Sequence, residues 1–141
     1  MILLTATDGS GKGVEMSGSV RELLELAYER LASGQGVADL IQHDALLLGT
    51  ETAEWWEGRQ AVLAALETQD ASIGRPRITR DGDLRVREHG DVAWFAEHAT
   101  LRFGNDDLRV RLTGVAVRDS NGWLLAQFQA APLDDDEDQQ A

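Results

Sequence analysis

The sequence predicts a single α+β domain in which helices come first and an antiparallel sheet follows. Before the segment ASIGRPR (71–77), apolar residues mostly recur at the spacing of three and four that marks helices. After that segment, apolar and polar residues alternate, as they do in strands that are buried on one face. The length of 141 residues suits one domain with its own core.

Three helices are predicted in the first half of the chain. Ser19 and Glu22 have the spacing of a capping box, which predicts the start of the first helix. A short second helix is predicted over residues 36–42, where apolar residues again recur in helical register. The third helix is predicted to start near Gly58.

The second half of the chain predicts an antiparallel meander. Short turn segments rich in glycine, asparagine and aspartate separate the alternating runs. The predicted strands are DLRVREH, VAWFAEHATLRF, LRVRLTGVAV and GWLLAQFQAA, and the earlier run ALLLGT (45–50) is predicted as a further strand.

Composition argues against several classes of partner. Thirteen basic residues stand against twenty-five acidic ones, for a formal net charge of −12. Such a field repels phosphate backbones and anionic lipids, so we expect neither nucleic acid nor a membrane as partner. The chain opens without the long apolar run of a signal peptide or a membrane span, which favours a soluble, cytoplasmic protein.

These patterns divide the chain into three segments. Residues 1–17 are predicted to form a flexible extension, residues 18–132 the folded domain, and residues 133–141 an acidic disordered tail. No cysteine is present, and His43, His89 and His98 are too dispersed to form a local metal-binding pair. We therefore expect no metal and no cofactor.

Four segments in this order and spacing, EWWEGRQAVLAAL, GDVAWFAEHATLRF, VRLTGVAVRD and GWLLAQFQAA, resemble SnoaL-like domains of the nuclear-transport-factor-two-like superfamily. The resemblance runs from about residue 19 to residue 132. It implies a cone-like α+β barrel, with three helices packed in a curved antiparallel sheet of four to six strands around a cavity. Relatives include polyketide cyclases, ketosteroid isomerases, dehydratases and kinase association domains, so the fold does not decide the function.

The resemblance also suggests which residues of the last strand face the cavity. The face that carries Trp123 looks inward in such families, and alternation then brings Gln127 and Gln129 to the same face. Many relatives have a histidine and a serine where this chain has Gln129 and Ala131. Because glutamine does not exchange protons near neutral pH, this strand is not expected to supply acid–base chemistry.

Two further strands are expected to contribute to the pocket. The resemblance favours Phe95 and Glu97 as inward-facing on one strand, and Arg111 and Thr113 on the next. Glu97 or His98 could act as a base if a reaction is catalysed, or a buried Glu97 could instead form a structural ion pair with Arg111. If Arg111 lies inside, it would also hold an acidic or carbonyl-bearing ligand.

The main hypothesis is a domain that binds a small, partly apolar molecule. Trp55 and Trp56 are expected either at the lip of the pocket or in ordinary packing. An isomerase, cyclase or dehydratase acting on a polyketide- or steroid-like substrate is the first alternative, and a homo-oligomeric interaction module is the second. The sequence leaves open whether a reaction is catalysed and which ligand binds.

A homodimer through the outer sheet face is also expected, since dimers of this kind are frequent in the superfamily. Alternation in the last strand predicts an apolar outer face, and such a patch is normally covered. The outward residues are predicted to be Leu124, Ala126, Phe128 and Ala130.

Overall fold

The computed structural model of the protein describes residues 18–133, so the predictions for the two termini lie outside the described residues. This part of the chain contains two α-helices, one 3₁₀ turn and seven strands. In chain order they are α1 (Val20–Ser33), the 3₁₀ turn (Ala38–Leu40), β1 (Ile41–Leu48), β2 (Trp55–Glu57), α2 (Arg59–Ile73), β3 (Arg77–Arg80), β4 (Arg85–His89), β5 (Val92–Phe103), β6 (Asp106–Asp119) and β7 (Gly122–Pro132).

All seven strands form one sheet against which the helices pack. Its strand order is β2-β1-β7-β6-β5-β3, and β4 also pairs with β5. Every neighbouring pair is antiparallel except β1 with β7, which run parallel. Helix α1 packs on β3 and β7, and α2 packs on β1 and β2. The predicted α+β class is confirmed, whereas the purely antiparallel sheet of four to six strands was wrong.

The first helix forms where its capping residues predicted it. The Ser19 hydroxyl accepts a hydrogen bond from the Glu22 amide at 3.1 Å, which satisfies one free amide of the first turn. Gly34 ends the helix with φ of 81°, a left-handed conformation that glycine adopts without a steric penalty. Leu23 and Leu24 are completely buried and anchor the helix on the sheet.

The predicted second helix over residues 36–42 was wrong. This segment forms a single 3₁₀ turn and then enters β1, in which Ile41 pairs with Leu125. Val37, Leu40 and Ile41 are buried, as a helix would also bury them. In so short a segment, apolar spacing does not distinguish one helical turn followed by a strand from a short helix.

Two short strands were not predicted from the sequence. β2 includes both tryptophans of the WWE segment and pairs with β1, so that Trp56 lies opposite Leu47. β3 begins at the last residue of the segment ASIGRPR (71–77) and pairs with β5. Helix α2 begins at Arg59, directly after Gly58, as predicted.

The core lies between the helices and one face of the sheet, which we call the inner face. On β5 the inner face carries Ala93, Phe95, Glu97, Ala99 and Leu101, all buried. The opposite surface of the sheet is called the outer face. In the described part of the chain, no helix is long and apolar enough to cross a membrane.

Candidate functional site

A cavity of about 270 Å³ opens between the two helices and the inner face of the sheet. Its wall is mostly apolar and is built from both helices and from strands β1, β5, β6 and β7. Glu51 and Ile73 are lining residues that are exposed to solvent, so they mark the mouth. A concave, largely apolar space with a few polar groups is typical of small-molecule sites.

Three aromatic rings pack beside this cavity. The centroid of the Phe128 ring lies 6.5 Å from that of Tyr28, in an edge-to-face arrangement, and 6.1 Å from that of Phe95. Tyr28 and Phe128 line the cavity, and Phe95 lies behind them in the core. Gly114 makes room for Phe95, because a Cβ at this position would lie 2.6 Å from the ring.

A β-bulge in β7 decides which residues of that strand reach the cavity. Leu125 pairs with Ala116, and Gln127 pairs with Val115, so Ala126 is an extra residue without an opposite partner. A single extra residue reverses the alternation of side chains beyond it. Phe128 therefore faces inward after the bulge, on the same side as Trp123 and Leu125 before it.

The bulge overturns the predicted face of Gln129. Gln129 lies opposite Thr113 on the outer face, and Arg111 lies opposite Ala131 on that face too. The prediction that Gln129, Arg111 and Thr113 point into the cavity was therefore wrong. The prediction that Phe128 and Ala130 point outward was also wrong, since both residues line the cavity.

A buried cluster of polar side chains adjoins the apolar wall. The Glu97 carboxylate is completely buried, and its Oε2 accepts a hydrogen bond from the Tyr28 hydroxyl at 2.5 Å. Its Oε1 accepts a hydrogen bond from Arg80 Nε, which also forms an ion pair with it. Arg80 Nη1 lies 3.6 Å from the Glu25 carboxylate at the surface. The cation that pairs with Glu97 thus comes from β3 and not from Arg111.

Burial and charge fix the protonation of this cluster. Burial raises the pKa of Tyr28 above its usual range, and the charge and hydrogen bond of Glu97 raise it further. Burial alone would lower the pKa of Arg80, but the hydrogen bond and charge of Glu97 raise it. The cluster therefore contains a neutral tyrosine and a charged arginine at physiological pH.

The predicted site residues fall into three places. Two of them, Trp56 and Gln127, line the cavity. Phe95 and Glu97 are buried behind its wall, facing inward as expected. The other four, Trp55, Arg111, Thr113 and Gln129, lie outside the cavity wall. So does the second catalytic candidate, His98, which is exposed opposite Arg111 on the outer face.

Sequence reasoning missed Tyr28 and Arg80. Tyr28 follows Leu24 by four residues, a spacing that predicts a position on the buried face of the helix. An inward-facing Glu97 also requires a cation, because a buried charge is normally paired. Arg80 could not be identified as that cation, because the segment around it had not been recognised as a strand.

No metal site is evident in this part of the molecule. Among residues 18–133, no three side chains of histidine, aspartate or glutamate lie close enough together to hold an ion.

Solved structures with a similar fold are numerous but distant in sequence. A proposed calcium/calmodulin-dependent protein kinase type II association domain from Thiobacillus denitrificans is 16% identical, with a TM-score of 0.75 over 86% of this chain and 100% of that one. A proposed dehydratase of the NTF2-like family from Streptomyces avermitilis is 19% identical, with a TM-score of 0.73 over 81% of this chain and 93% of that one.

A third similar structure is a proposed ketosteroid isomerase from Parabacteroides distasonis. It is 14% identical, with a TM-score of 0.69 over 85% of this chain and 96% of that one. At these identities the likeness concerns the fold alone. A comparison with curated proteins finds no match. The sequence profile of the SnoaL-like domain matches residues 20–134, and the chain therefore belongs to the SnoaL-like domain family.

Proposed function

We propose that this SnoaL-like domain binds a small, largely apolar molecule in the cavity between its helices and its sheet. The observation that carries the proposal is the cavity itself, with a volume of about 270 Å³ and a wall of aliphatic and aromatic side chains. This volume lies just below the usual range for small-molecule sites, about 300–1,000 Å³. A compact ligand of one or two rings is therefore the expected size.

Acid–base catalysis is the second candidate, because the Tyr28 hydroxyl and the Glu97 carboxylate adjoin the cavity. Three similar structures bear the names of proposed dehydratases or of a proposed ketosteroid isomerase, which is a reason to consider catalysis for this chain. However, Tyr28 and Arg80 already occupy one oxygen each of Glu97. A general base must come within about 2.6–3.2 Å of the proton that it removes, and Glu97 is not a lining residue. Binding without catalysis is therefore favoured.

A cavity-filling variant tests the proposed function. Leu66 and Leu63 are both half-buried on α2, but only Leu66 lines the cavity. We expect the native protein to bind the apolar probe 2-methoxynaphthalene in isothermal titration calorimetry. Leu66→Trp should abolish this binding, and the matched control Leu63→Trp should keep it.

Native mass spectrometry of the purified protein provides a second, independent readout. A small molecule that co-purifies with the wild type and is absent from Leu66→Trp would support the cavity as its site. Failure of the wild type both to retain a molecule and to bind the probe would contradict the proposed function. The cytoplasmic location and the homodimer stay predictions.

A further inference from the structure

The hydroxyl proton of Tyr28, the only tyrosine among the described residues, is already used in a hydrogen bond to Glu97. Tyr28 lines the cavity, and its hydroxyl donates to Glu97 Oε2 at 2.5 Å. A hydroxyl has one hydrogen to donate and two lone pairs that can accept. Toward a ligand, Tyr28 can therefore act as a hydrogen-bond acceptor but not as a donor, unless the contact with Glu97 breaks.

The loop at the mouth of the cavity, residues 49–54, also offers hydrogen-bond acceptors to a ligand. The Thr50 hydroxyl lies 3.4 Å from Glu54 Oε1 and donates to it, and the Glu51 amide donates to the same oxygen at 3.0 Å. Glu51 and Glu54 both line the cavity and add negative charge there. Among the other lining residues, Gln69 and Gln127 carry amides that both donate and accept, so they do not discriminate, and Trp56 carries an indole N–H that only donates. The preference for a donor therefore rests on Tyr28 and on the two carboxylates at the mouth.

Positive charge is missing from the wall. Within the described residues, the lining set contains no lysine, arginine or histidine. Arg80 lies behind the wall rather than in it, and the charge of Glu97 offsets its own. Transfer of an anion into such a site would strip away its water without supplying a partner, which is strongly unfavourable. The net charge of −12 over the whole chain acts in the same direction.

We infer that the cavity selects an apolar molecule that carries a hydroxyl or amino hydrogen-bond donor and no anionic group. The inference rests on the proposed function, because it specifies the ligand of the same cavity. The donor group of the ligand meets the acceptor oxygen of Tyr28, and its apolar body packs against the aliphatic and aromatic wall. This preference is the opposite of the acidic or carbonyl-bearing ligand expected from an inward Arg111.

Three matched probes separate the donor from the charge. 2-Naphthol has a donor, 2-methoxynaphthalene has the same ring and oxygen without the donor, and 2-naphthoate carries an anion. Affinities are measured by isothermal titration calorimetry for the wild type and for Tyr28→Phe. The affinity ratio of naphthol to methoxynaphthalene should fall about fivefold in Tyr28→Phe, the effect of one hydrogen bond. In the wild type, naphthoate should bind at least tenfold more weakly than naphthol.

The mouth carboxylates provide a second variant. The double variant Glu51→Gln/Glu54→Gln should raise the affinity for 2-naphthoate and leave that for 2-methoxynaphthalene unchanged. Retained binding of 2-methoxynaphthalene by Tyr28→Phe shows that its cavity is intact. If that variant does not fold, two affinity ratios in the wild type still decide the question, that of naphthol to methoxynaphthalene for the donor and that of naphthol to naphthoate for the charge.

The outcomes separate the two proposals. If none of the probes binds to the wild type, the proposed function fails for ligands of this size, and the inference fails with it. If 2-methoxynaphthalene binds and is lost only in Leu66→Trp, the cavity is a binding site. The inference is then overturned if naphthoate binds as tightly as naphthol, or if the preference for naphthol persists unchanged in Tyr28→Phe.

Discussion

Tyr28 offers a direct test of the buried polar cluster, because it is the single tyrosine of the chain. Burial and the neighbouring Glu97 raise its pKa above the value of about 10 that it has in the unfolded chain. The neutral hydroxyl therefore stabilises the fold fully below about pH 10, and this stabilisation is lost as the pH rises above that value.

We expect the tyrosinate absorbance of the native protein to appear only together with alkaline unfolding, as followed by circular dichroism. In concentrated urea, the same absorbance should appear near pH 10. Tyr28→Phe should flatten the alkaline decline in stability, because it removes the group that titrates. Ionisation near pH 10 while the circular dichroism remains native would show that the hydroxyl is not held as described.

Gly114 is required by a close approach rather than by an unusual backbone conformation. A Cβ at this position would lie 2.3 Å from the Gln127 carbonyl oxygen and 2.6 Å from the Phe95 ring. Backbone cannot move aside as a flexible side chain can, so Gly114→Ala should lower the free energy of unfolding by about 1–3 kcal/mol. Urea denaturation measures this loss.

Gly36→Ala is the matched control, because a Cβ there would meet no atom within 4 Å. Its free energy of unfolding should stay within about 0.5 kcal/mol of the wild type, as for most surface substitutions. Equal losses in the two variants would contradict the close packing of Phe95 on Gly114.

Sequence reasoning reached some residues of the site and missed others for identifiable reasons. Alternation placed Phe95 and Glu97 on the inner face, because β5 is regular along its length. It failed for Gln129, because alternation cannot reveal an extra residue within a strand. The partner of Glu97 depends on which strand lies beside β5, and this neighbour is β3, a four-residue element with no strong pattern of its own.

At the scale of elements, the bulge in β7 changes which side chains reach the cavity. Without Ala126, simple alternation would keep Trp123 and Leu125 inward and would still bring Phe128 inward. Trp123, Leu125 and Phe128 also face inward in the structure, where the bulge is present. Deletion of Ala126 therefore preserves the inward set of β7, although it changes the local pairing with β1.

We expect the protein lacking Ala126 to remain folded, with a modest loss of melting temperature. The matched control is deletion of Ala116, which lies in β6 opposite Leu125 and is completely buried. That deletion should turn half of β6 over, move buried side chains to solvent and prevent folding. Circular dichroism and thermal unfolding distinguish the variants, and equal damage by both deletions would argue against the bulge.

The other elements show where local patterns are sufficient. α1 begins at its predicted N-cap, and it ends at a glycine, because both ends have local chemical signals. β1 begins earlier than predicted because its start depends on pairing with β7, which is more than 80 residues further along the chain. The parallel β1–β7 pair is a long-range contact of this kind, and no local pattern encodes it.

At the scale of the whole molecule, the outer face of the sheet carries exposed apolar side chains of the kind that a partner chain normally buries. Val92 and Trp94 on β5 are 42% and 50% exposed. Trp94 lies opposite Val115 on β6 and opposite Arg87 on β4. Arginine side chains on this face lower the local negative charge, which would otherwise oppose the approach of a second copy. We therefore expect a homodimer through the outer face, a prediction carried over from the sequence with a different set of residues.

The dimer is tested at Trp94 and not at Phe128, which had been predicted to face outward. Phe128 lies inside against Tyr28 and Phe95, so Phe128→Glu would damage the core rather than an interface. Trp94→Glu is the appropriate variant, and it should weaken the dimer by about 2 kcal/mol or more, roughly thirtyfold in Kd. Because Trp94 is half-exposed in the single chain, its loss should leave the melting temperature of the monomer little changed.

Sedimentation velocity at micromolar concentration should show a dimer for the wild type and a monomer for Trp94→Glu. Ile73→Glu is the control, since Ile73 is 56% exposed but lies on α2 at the mouth of the cavity, and it should remain dimeric. A wild type that sediments as a monomer, or a Trp94→Glu variant that stays dimeric, would show that the outer face is not the interface.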